Sequence, residues 1–196
     1  SVTGTWGVAT STTIFDYSGG TTGDAVLSID DPRIYTRKLT AAEVLEIYFP
    51  TTAAIDLGLV GYWKLNEIAG TTASDISGNG NHGTLSQLDF ATDSVPGKFT
   101  NALFHAESND YVDLGALGLT EADGTLSVWF KSFGNANTYL VTTRLGVGGK
   151  GMFDIYIQNA TNWYCYVGDG ASSGLTSNPV GWDDDVWRHH VFTYDL

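Results

Sequence analysis

The pattern that most constrains the fold is a series of short segments in which apolar and polar residues alternate. Residues 125–131 show it most clearly, reading Thr-Leu-Ser-Val-Trp-Phe-Lys. Because successive side chains of a β-strand point to opposite faces, this alternation indicates a strand with one buried face. Further candidate strands lie at residues 12–17, 25–35, 58–65, 101–105, 110–114, 139–144, 153–158, 163–167 and 187–194. Glycine-rich turns separate them and no strand–helix alternation is present, so the sequence predicts an all-β fold, an antiparallel jelly-roll β-sandwich.

One segment, at about residues 40–48, predicts a short helix. Thr40 and Glu43 have the spacing of a capping box, in which each side chain binds the backbone N–H of the other residue. An apolar face follows, formed by Val44, Leu45, Ile47 and Tyr48. The helix is expected to end before Pro50, because the residue that precedes a proline disfavours the helical conformation.

The charge balance excludes several classes of partner. Within 196 residues, 22 acidic side chains face nine Lys and Arg side chains, which gives a formal net charge of −13. Nucleic acids and anionic membrane surfaces bind basic patches, so neither is an expected partner. The single cysteine, Cys165, precludes a disulfide within the chain, and no apolar run is long enough to predict membrane insertion.

Residues 75–83, Asp-Ile-Ser-Gly-Asn-Gly-Asn-His-Gly, predict a polar loop. Side-chain oxygens recur at alternate positions from Asp75 to Asn81, and an oxygen-rich tight loop suits a calcium ion. The opening positions match an EF-hand-type loop, but Ser86 stands where such a loop has its bidentate Glu. The loop alone is therefore short of ligands for calcium. A plain polar turn, in which Asn and Gly are common, remains the alternative.

Several segments together carry a family resemblance. Residues 58–63, 75–83, 101–103, 110–114, 126–131 and 187–191 follow one another in a characteristic order. In this order they resemble laminin-G-like domains, which belong to the concanavalin A-like lectin/glucanase superfamily of jelly rolls. Residues 28–35 and 37–44 resemble the closing strand and the C-terminal helical turn of the same family. Pro32 departs from the apolar residue usual in that strand and donates no hydrogen bond, so we expect this strand to be at a sheet edge or bulged.

The resemblance implies an unusual domain order, with the closing part of the fold before its opening part. Residues 1–50 would be the end of one laminin-G-like domain, 51–57 a connector, and 58–196 the N-terminal and central part of the next. This arrangement favours a segment of a longer, repetitive polypeptide. Alternatively, residues 1–196 form one permuted or strand-swapped sandwich, completed within the chain or between neighbouring copies.

The resemblance also implies where further calcium ligands would come from. In the family, the loop at 75–83 lies near the closing strand, which here carries Asp30 and Asp31. The expected ligand set is given by Asp75 and Asn79, the carbonyl oxygens of Gly78 and Asn81, and either Asp30 or Asp31. Such a calcium ion would be structural, because its coordination would order a glycine-rich loop that otherwise costs conformational entropy.

Catalysis is not expected. Glycosidases of this superfamily need two carboxylates that face a cleft at a defined separation. Glu107, Asp110 and Asp113 come closest, but their spacing does not keep them on one face of a strand. The Glu-x-Asp-x-x-Glu-like signature of these enzymes is absent, as are nucleophile and phosphate-binding motifs.

Binding is the expected function. Trp163, Tyr164 and Trp182 lie beside glycine-rich loops and are candidate ligand-binding residues, because exposed aromatic rings stack on sugar faces and Asp or Asn side chains bind hydroxyl groups. Asp183, next to Trp182, completes this candidate set. By contrast, three further tryptophans lie in alternating strands and are expected in the core, namely Trp63, Trp129 and Trp187.

Taken together, the sequence predicts a non-catalytic adhesion module at an extracellular, cell or virion surface, which binds a glycan or a surface protein and carries a structural calcium ion. The alternative is a structural repeat, or a virion decoration or fibre subunit, that assembles with neighbouring copies. A third hypothesis, a glycoside-active enzyme, follows only from the presence of such enzymes in the superfamily.

Overall fold

The computed structural model describes residues 10–16, 26–49, 55–106, 109–119, 123–132, 137–144, 151–158, 162–167, 175–177 and 185–195 of the chain. Within these residues the chain forms two sheets with antiparallel strand pairing and two short helices. The predicted all-β sandwich is thereby confirmed.

Sheet A contains eight strands within the described part of the chain. Their spatial order is β13 (Leu175–Ser177), β12 (Asn162–Val167), β11 (Gly151–Gln158), β10 (Asn137–Arg144), β1 (Ser11–Asp16), β8 (Tyr111–Gly115), β5 (Gly83–Ser86) and β4 (Thr72–Ala73).

Sheet B faces sheet A across the core. Its spatial order is β14 (Arg188–Asp195), β9 (Asp123–Ser132), β2 (Leu27–Tyr35), β7 (Asn101–His105) and β6 (Ser94–Pro96), and β3 (Leu59–Tyr62) pairs additionally with β2.

The front of the chain supplies an internal strand to each sheet. In sheet A, β1 lies between β10 and β8, with Ile14 opposite Val141. In sheet B, β2 lies between β9 and β7, with Ile29 opposite Phe130. Strands β1 and β2 therefore each pair on both sides with strands from later in the chain, and the closing strand β2 also pairs with the opening strand β3. Pairing of these strands between neighbouring copies stays a prediction.

Apolar side chains from both sheets fill the space between them. Trp63 and Phe130 are among the largest fully buried residues. Gly61 makes room for the Trp63 indole, because a Cβ atom at Gly61 would lie 2.1 Å from the ring. Trp129 is buried outside this main core, and Trp187 is half-buried. The main core also contains Ile14, Leu27, Ile29, Leu65, Phe90, Leu103, Leu126, Val128, Leu140 and Ile155.

The predicted helix is present as α1 (Ala41–Tyr48). Its capping box is formed as expected, with reciprocal hydrogen bonds between Thr40 and Glu43. A second helix, α2 (Phe90–Asp93), was not predicted from the sequence. It is a single turn, too short to show helical periodicity, and the Asp89 cap and the buried Phe90 side chain hold it in place. Neither helix meets the length and apolarity needed to cross a membrane, and the same holds throughout the described residues.

The β2 strand is interrupted by a bulge at the predicted position. The register of β2 against β9 shifts between Asp30 and Arg33, so that Asp31 and Pro32 have no partners in the ladder. Asp31 adopts a left-handed conformation with φ 59°, which Asp tolerates better than most residues. Pro32 therefore lies in an internal strand and is accommodated by the bulge, and its carbonyl oxygen accepts a hydrogen bond from the Trp63 N–H.

Candidate binding cleft at the bulge in β2

The bulge brings two buried carboxylates to one side of sheet B. Asp30 is 2% exposed, and its Oδ2 atom accepts hydrogen bonds from the backbone N–H groups of Lys98, at 2.7 Å, and Phe99, at 3.1 Å. A side chain at Gly97 would clash with Asp30 Oδ2 and with the Asn101 backbone, so the glycine permits this close approach. Burial raises the pKa of Asp30 to about 6, although the two N–H groups act in the opposite direction.

Asp31 has a different set of partners. Its carboxylate forms an ion pair with Arg33, with Nη2 at 2.6 Å from Oδ2, and accepts a short hydrogen bond from the Tyr62 hydroxyl group. Arg33 also lies over the Tyr62 ring, 4.1 Å from its centroid. Burial raises the pKa of Asp31 and, together with the Asp31 charge, that of Tyr62, which is therefore a protonated donor. These three side chains form a closed hydrogen-bonded group.

A cleft of about 240 Å³ opens beside these carboxylates. It is lined by Asp30, Asp31, Tyr62, Lys64, Asn66, Phe99 and Thr100. The lining residues carry carboxylate, phenol, amide, hydroxyl and ammonium groups, together with the apolar ring of Phe99. Because Phe99 is 43% exposed and lies at the surface, a ligand in the cleft can contact both its ring and the polar groups.

The Phe99 ring is held by an aromatic cluster on the outer face of sheet B. Phe99 packs edge-to-face against Trp129, with ring centroids 5.9 Å apart. The Lys98 ammonium lies 4.3 Å from the centroid of the same indole, and Tyr48 of α1 packs at 5.1 Å. Since Trp129 is only 2% exposed, it serves as a fixed support for Phe99.

The loop at 75–83 is organised around the carboxylate of Asp75. Its Oδ1 atom accepts hydrogen bonds from the N–H groups of Tyr62 and Ser77, and its Oδ2 atom accepts from the Ser77 hydroxyl and the Asn81 N–H. Burial acts to raise the pKa of Asp75, but these four hydrogen bonds hold it below its usual value. Asp75 therefore remains ionised and fixes the loop against β3.

The other polar residues of the loop also bind β3. The Asn79 side-chain amide donates to the carbonyl oxygens of Leu59 and Val60, and that of Asn81 donates to Val60 at 2.8 Å. The Asn81 carbonyl oxygen accepts a hydrogen bond from the Trp63 indole at 2.8 Å. Gly78 has a positive φ of 90°, which lets the loop turn.

Protein groups already bind most of the oxygen atoms that the sequence predicted as calcium ligands. Four protein donors occupy the Asp75 oxygens and the Trp63 indole occupies the Asn81 carbonyl, whereas Asp30 and Asp31 have the separate partners given above. Among the described residues, no group of three or more His, Cys, Asp or Glu side chains is placed to hold a metal ion. This hydrogen bonding does not fit a calcium ion at the predicted ligands, and calcium itself stays a prediction.

The structure describes only the backbone of two residues of the predicted aromatic site. Trp163 and Tyr164 belong to β12, opposite Ile157 and Tyr156 of β11. Their side chains, and the whole of Trp182 and Asp183, lie outside what the structure describes. Sequence reasoning missed the cleft residues around Phe99. The signal that pointed to the cleft was the Asp-Asp-Pro triplet at 30–32 within an otherwise alternating strand.

The family comparison agrees with the fold. A laminin-G-type family model of the concanavalin A-like lectin/glucanases superfamily matches residues 106–196, the segment that contains β8 to β14. This match confirms the resemblance over that segment and, with the two-sheet architecture, supports a lectin-like or adhesion-type β-sandwich domain. Comparisons with curated proteins and with solved structures gave no significant match. The cleft lies outside the matched segment, so its chemistry follows from its own residues alone.

Proposed function

We propose that this domain is a non-catalytic recognition module that binds glycans through the cleft at the β2 bulge. The observation that carries the proposal is the convergence of buried carboxylates and exposed polar groups beside the Phe99 ring. Binding sites for small polar ligands combine an apolar surface with a few placed hydrogen-bonding groups. A sugar ring offers the matching surfaces, with C–H groups for the aromatic ring and hydroxyl groups for the polar side chains.

The hydrogen-bonding inventory of the cleft supports a hydroxylated ligand. An ionised carboxylate is an acceptor only, so Asp30 suits a hydroxyl donor. The Asn66 amide and the Thr100 hydroxyl both donate and accept, and they are 3.4 Å apart at the exposed rim. The cleft therefore offers acceptors for the hydrogen that a ligand hydroxyl donates and donors for its oxygen.

The arrangement of the carboxylates supports binding rather than hydrolysis. A glycosidase holds its two carboxylates on either side of the scissile bond. Asp30 and Asp31 are neighbours on one bulge, and Asp31 is engaged by Arg33 and Tyr62. We therefore propose no catalytic role for this pair.

A glycan array with the labelled chain, read with added calcium and with chelator, tests the proposal. We expect binding to a defined set of glycans, together with no release of reducing ends when the bound glycans are incubated with the chain. An array without bound glycans would contradict glycan recognition, and a protein ligand would then be the remaining occupant. Release of reducing ends would contradict the non-catalytic assignment.

We propose that this recognition takes place at an extracellular, cell or virion surface. The strongly acidic balance of 22 acidic against nine basic side chains suits a module that avoids nucleic acids and anionic membranes. Immunolabelling of intact cells or particles from the source tests this placement, and labelling only after permeabilisation would contradict it.

A second candidate function is assembly with neighbouring copies. The observation that favours it is the internal position of β1 and β2. Among the described residues, both strands pair with strands that come later in the chain, and β1 pairs with β8 and β10, which are about 100 or more positions away. A chain that supplied these strands to its neighbour would keep every pairing. Sedimentation over a range of concentrations tests this function. A monomer at all concentrations would exclude assembly by exchange of β1 and β2 between copies.

A further inference from the structure

Asp30 differs from Asp31, the other acid that lines the cleft, in having no positive counter-charge. Among the described residues, no Lys, Arg or His side chain forms an ion pair with it, and its hydrogen bonds come from backbone N–H groups. Asp31, its neighbour, is paired with Arg33. A carboxylate that is buried without a counter-charge is unfavourable, which is why its pKa is raised.

The Asp30 carboxylate lies beside the cleft. Asp30 lines it together with the Phe99 ring. A carboxylate beside an exposed aromatic ring is a favourable environment for an organic cation, which gains both a charge-assisted hydrogen bond and a cation–π contact. The net charge of −13 adds a long-range attraction for cations.

A metal ion fits this cleft less well than an organic cation. Calcium needs at least about six oxygen ligands, whereas Arg33 and Tyr62 already engage the Asp31 carboxylate. The aromatic ring would contribute nothing to a hard cation that prefers oxygen. An ammonium group on a carbon skeleton uses both the carboxylate and the ring.

The remaining lining groups distinguish between ammonium ligands. A lysine side chain offers an apolar stem behind its ammonium group, so it would leave Asn66 and Thr100 without new partners. An amino sugar carries hydroxyl groups on the same ring and satisfies both. The volume of about 240 Å³, below the roughly 300–1,000 Å³ of drug-sized pockets, suits a single sugar ring.

We propose that the cleft at the β2 bulge binds an amino sugar with a free ammonium group, with Asp30 as the counter-charge, Phe99 as the stacking surface, and Asn66 and Thr100 as partners of the hydroxyl groups. This inference rests on the proposed glycan recognition and names its ligand class. The ammonium of Lys64 is exposed to solvent, which screens its repulsion, whereas the carboxylate of Asp30 is buried.

Isothermal titration at neutral pH with glucosamine, N-acetylglucosamine, glucose and n-butylammonium tests the inference. We expect glucosamine to bind at least about tenfold more tightly than its uncharged N-acetyl form, since one charge-assisted hydrogen bond is lost on acetylation. The advantage should fall to within about twofold in Asp30→Asn, which keeps an oxygen for the Lys98 and Phe99 N–H groups. Lys64→Gln should increase the affinity for glucosamine.

Matched controls separate the site from general charge and folding effects. Asp113→Asn removes one exposed acid away from the cleft and should leave the glucosamine preference unchanged. Phe99→Ala should weaken all three sugars, and Phe99→Tyr should restore their binding. Thermal unfolding of each variant checks that it is folded.

Each other outcome overturns a stated part of the inference. Equal binding of the three sugars, with glycans bound on the array, would overturn the ammonium ligand and leave glycan recognition in place. n-Butylammonium represents a lysine side chain. If it bound as tightly as glucosamine, the amino sugar would be overturned as the ligand in favour of a lysine side chain. If Asp30→Asn kept the full preference for glucosamine over N-acetylglucosamine, the cleft would be overturned as the binding site. Absence of binding both on the array and in titration would overturn glycan recognition and the inference together.

Discussion

The Asp30 carboxylate accepts a hydrogen bond from the backbone N–H of Lys98 at 2.7 Å, although the two residues are 68 positions apart. This contact joins the bulge of β2 to the turn that carries Phe99. It therefore fixes the buried charge and the exposed ring of the cleft relative to each other. The two features that we assign to ligand recognition come from distant parts of the chain and depend on one hydrogen-bonded contact.

The burial of Asp30 predicts a specific dependence of stability on pH. Since the folded-state pKa of about 6 lies above the ordinary value of 3.8, the folded state binds this proton more tightly than the unfolded state. The stabilising effect of protonation is complete below the ordinary value and is lost as the pH rises through about 6. The free energy of unfolding of Asp30→Asn should exceed that of the natural chain at about pH 8, by at most about 3 kcal/mol.

Urea unfolding of both proteins at several pH values measures this difference. The advantage of Asp30→Asn should shrink steadily towards about pH 4. The titratable residues beside Asp30, in the cleft, in β2 and in the turn that binds it, are the same in both proteins, namely Asp31, Arg33, Tyr62, Lys64 and Lys98. A difference that does not depend on pH would show that Asp30 has an ordinary pKa in the folded chain.

The Asp31–Arg33 ion pair predicts that substitutions of its two residues have non-additive effects on the free energy of unfolding. Arg33→Met removes the partner of a carboxylate that is 5% exposed, and it should lower the free energy of unfolding by about 3–5 kcal/mol. Combining it with Asp31→Asn should recover a large part of this loss, because no unpaired charge remains. Urea unfolding of the two single variants and the double variant gives the coupling energy, and additive effects would contradict a direct pair.

The hydrogen bonds of Asp75 predict that the 75–83 loop depends on this one carboxylate. Asp75→Asn replaces two acceptor oxygens by one and introduces an extra donor, so it should lower the free energy of unfolding by about 2–4 kcal/mol. Asp56→Asn, at an exposed position, is the matched control and should change it by less than about 0.5 kcal/mol. Equal effects of the two substitutions would show that the loop does not need the Asp75 charge.

Calcium binding has a direct test in thermal unfolding with and without chelator. Because protein donors already occupy the Asp75 oxygens and the Asn81 carbonyl, we expect the same midpoint in both conditions. A ligand that binds only the folded state raises the midpoint with its concentration. A higher midpoint in added calcium would show that the loop exchanges these hydrogen bonds for an ion, as its composition predicted.

The alternation of residues 125–131 and the capping box at Thr40 and Glu43 are local patterns, and the strand β9 and the helix α1 follow from them. The bulge in β2 was also foreseeable, because Pro32 cannot donate a ladder hydrogen bond. The cleft was not, since it needs the contact between Asp30 and the turn at Lys98, which no local pattern specifies. The loop at 75–83 shows the converse limit. Its oxygen-rich composition suits calcium, but in the fold Asp75 Oδ1 accepts a hydrogen bond from the Tyr62 N–H of β3, and the Asn79 and Asn81 side-chain amides donate to carbonyl oxygens of β3.

The most direct test of ligand recognition at the cleft is amide-resolved NMR of the chain during titration with glucosamine and with the strongest glycan from the array. The Lys98 and Phe99 N–H groups donate to Asp30, so their signals report on this carboxylate. We predict that both amide signals shift in proportion to saturation, and that the same concentration of glucosamine shifts them less in Asp30→Asn. Binding that leaves both amides unperturbed, while signals elsewhere in the sandwich shift, would contradict recognition at the β2 bulge.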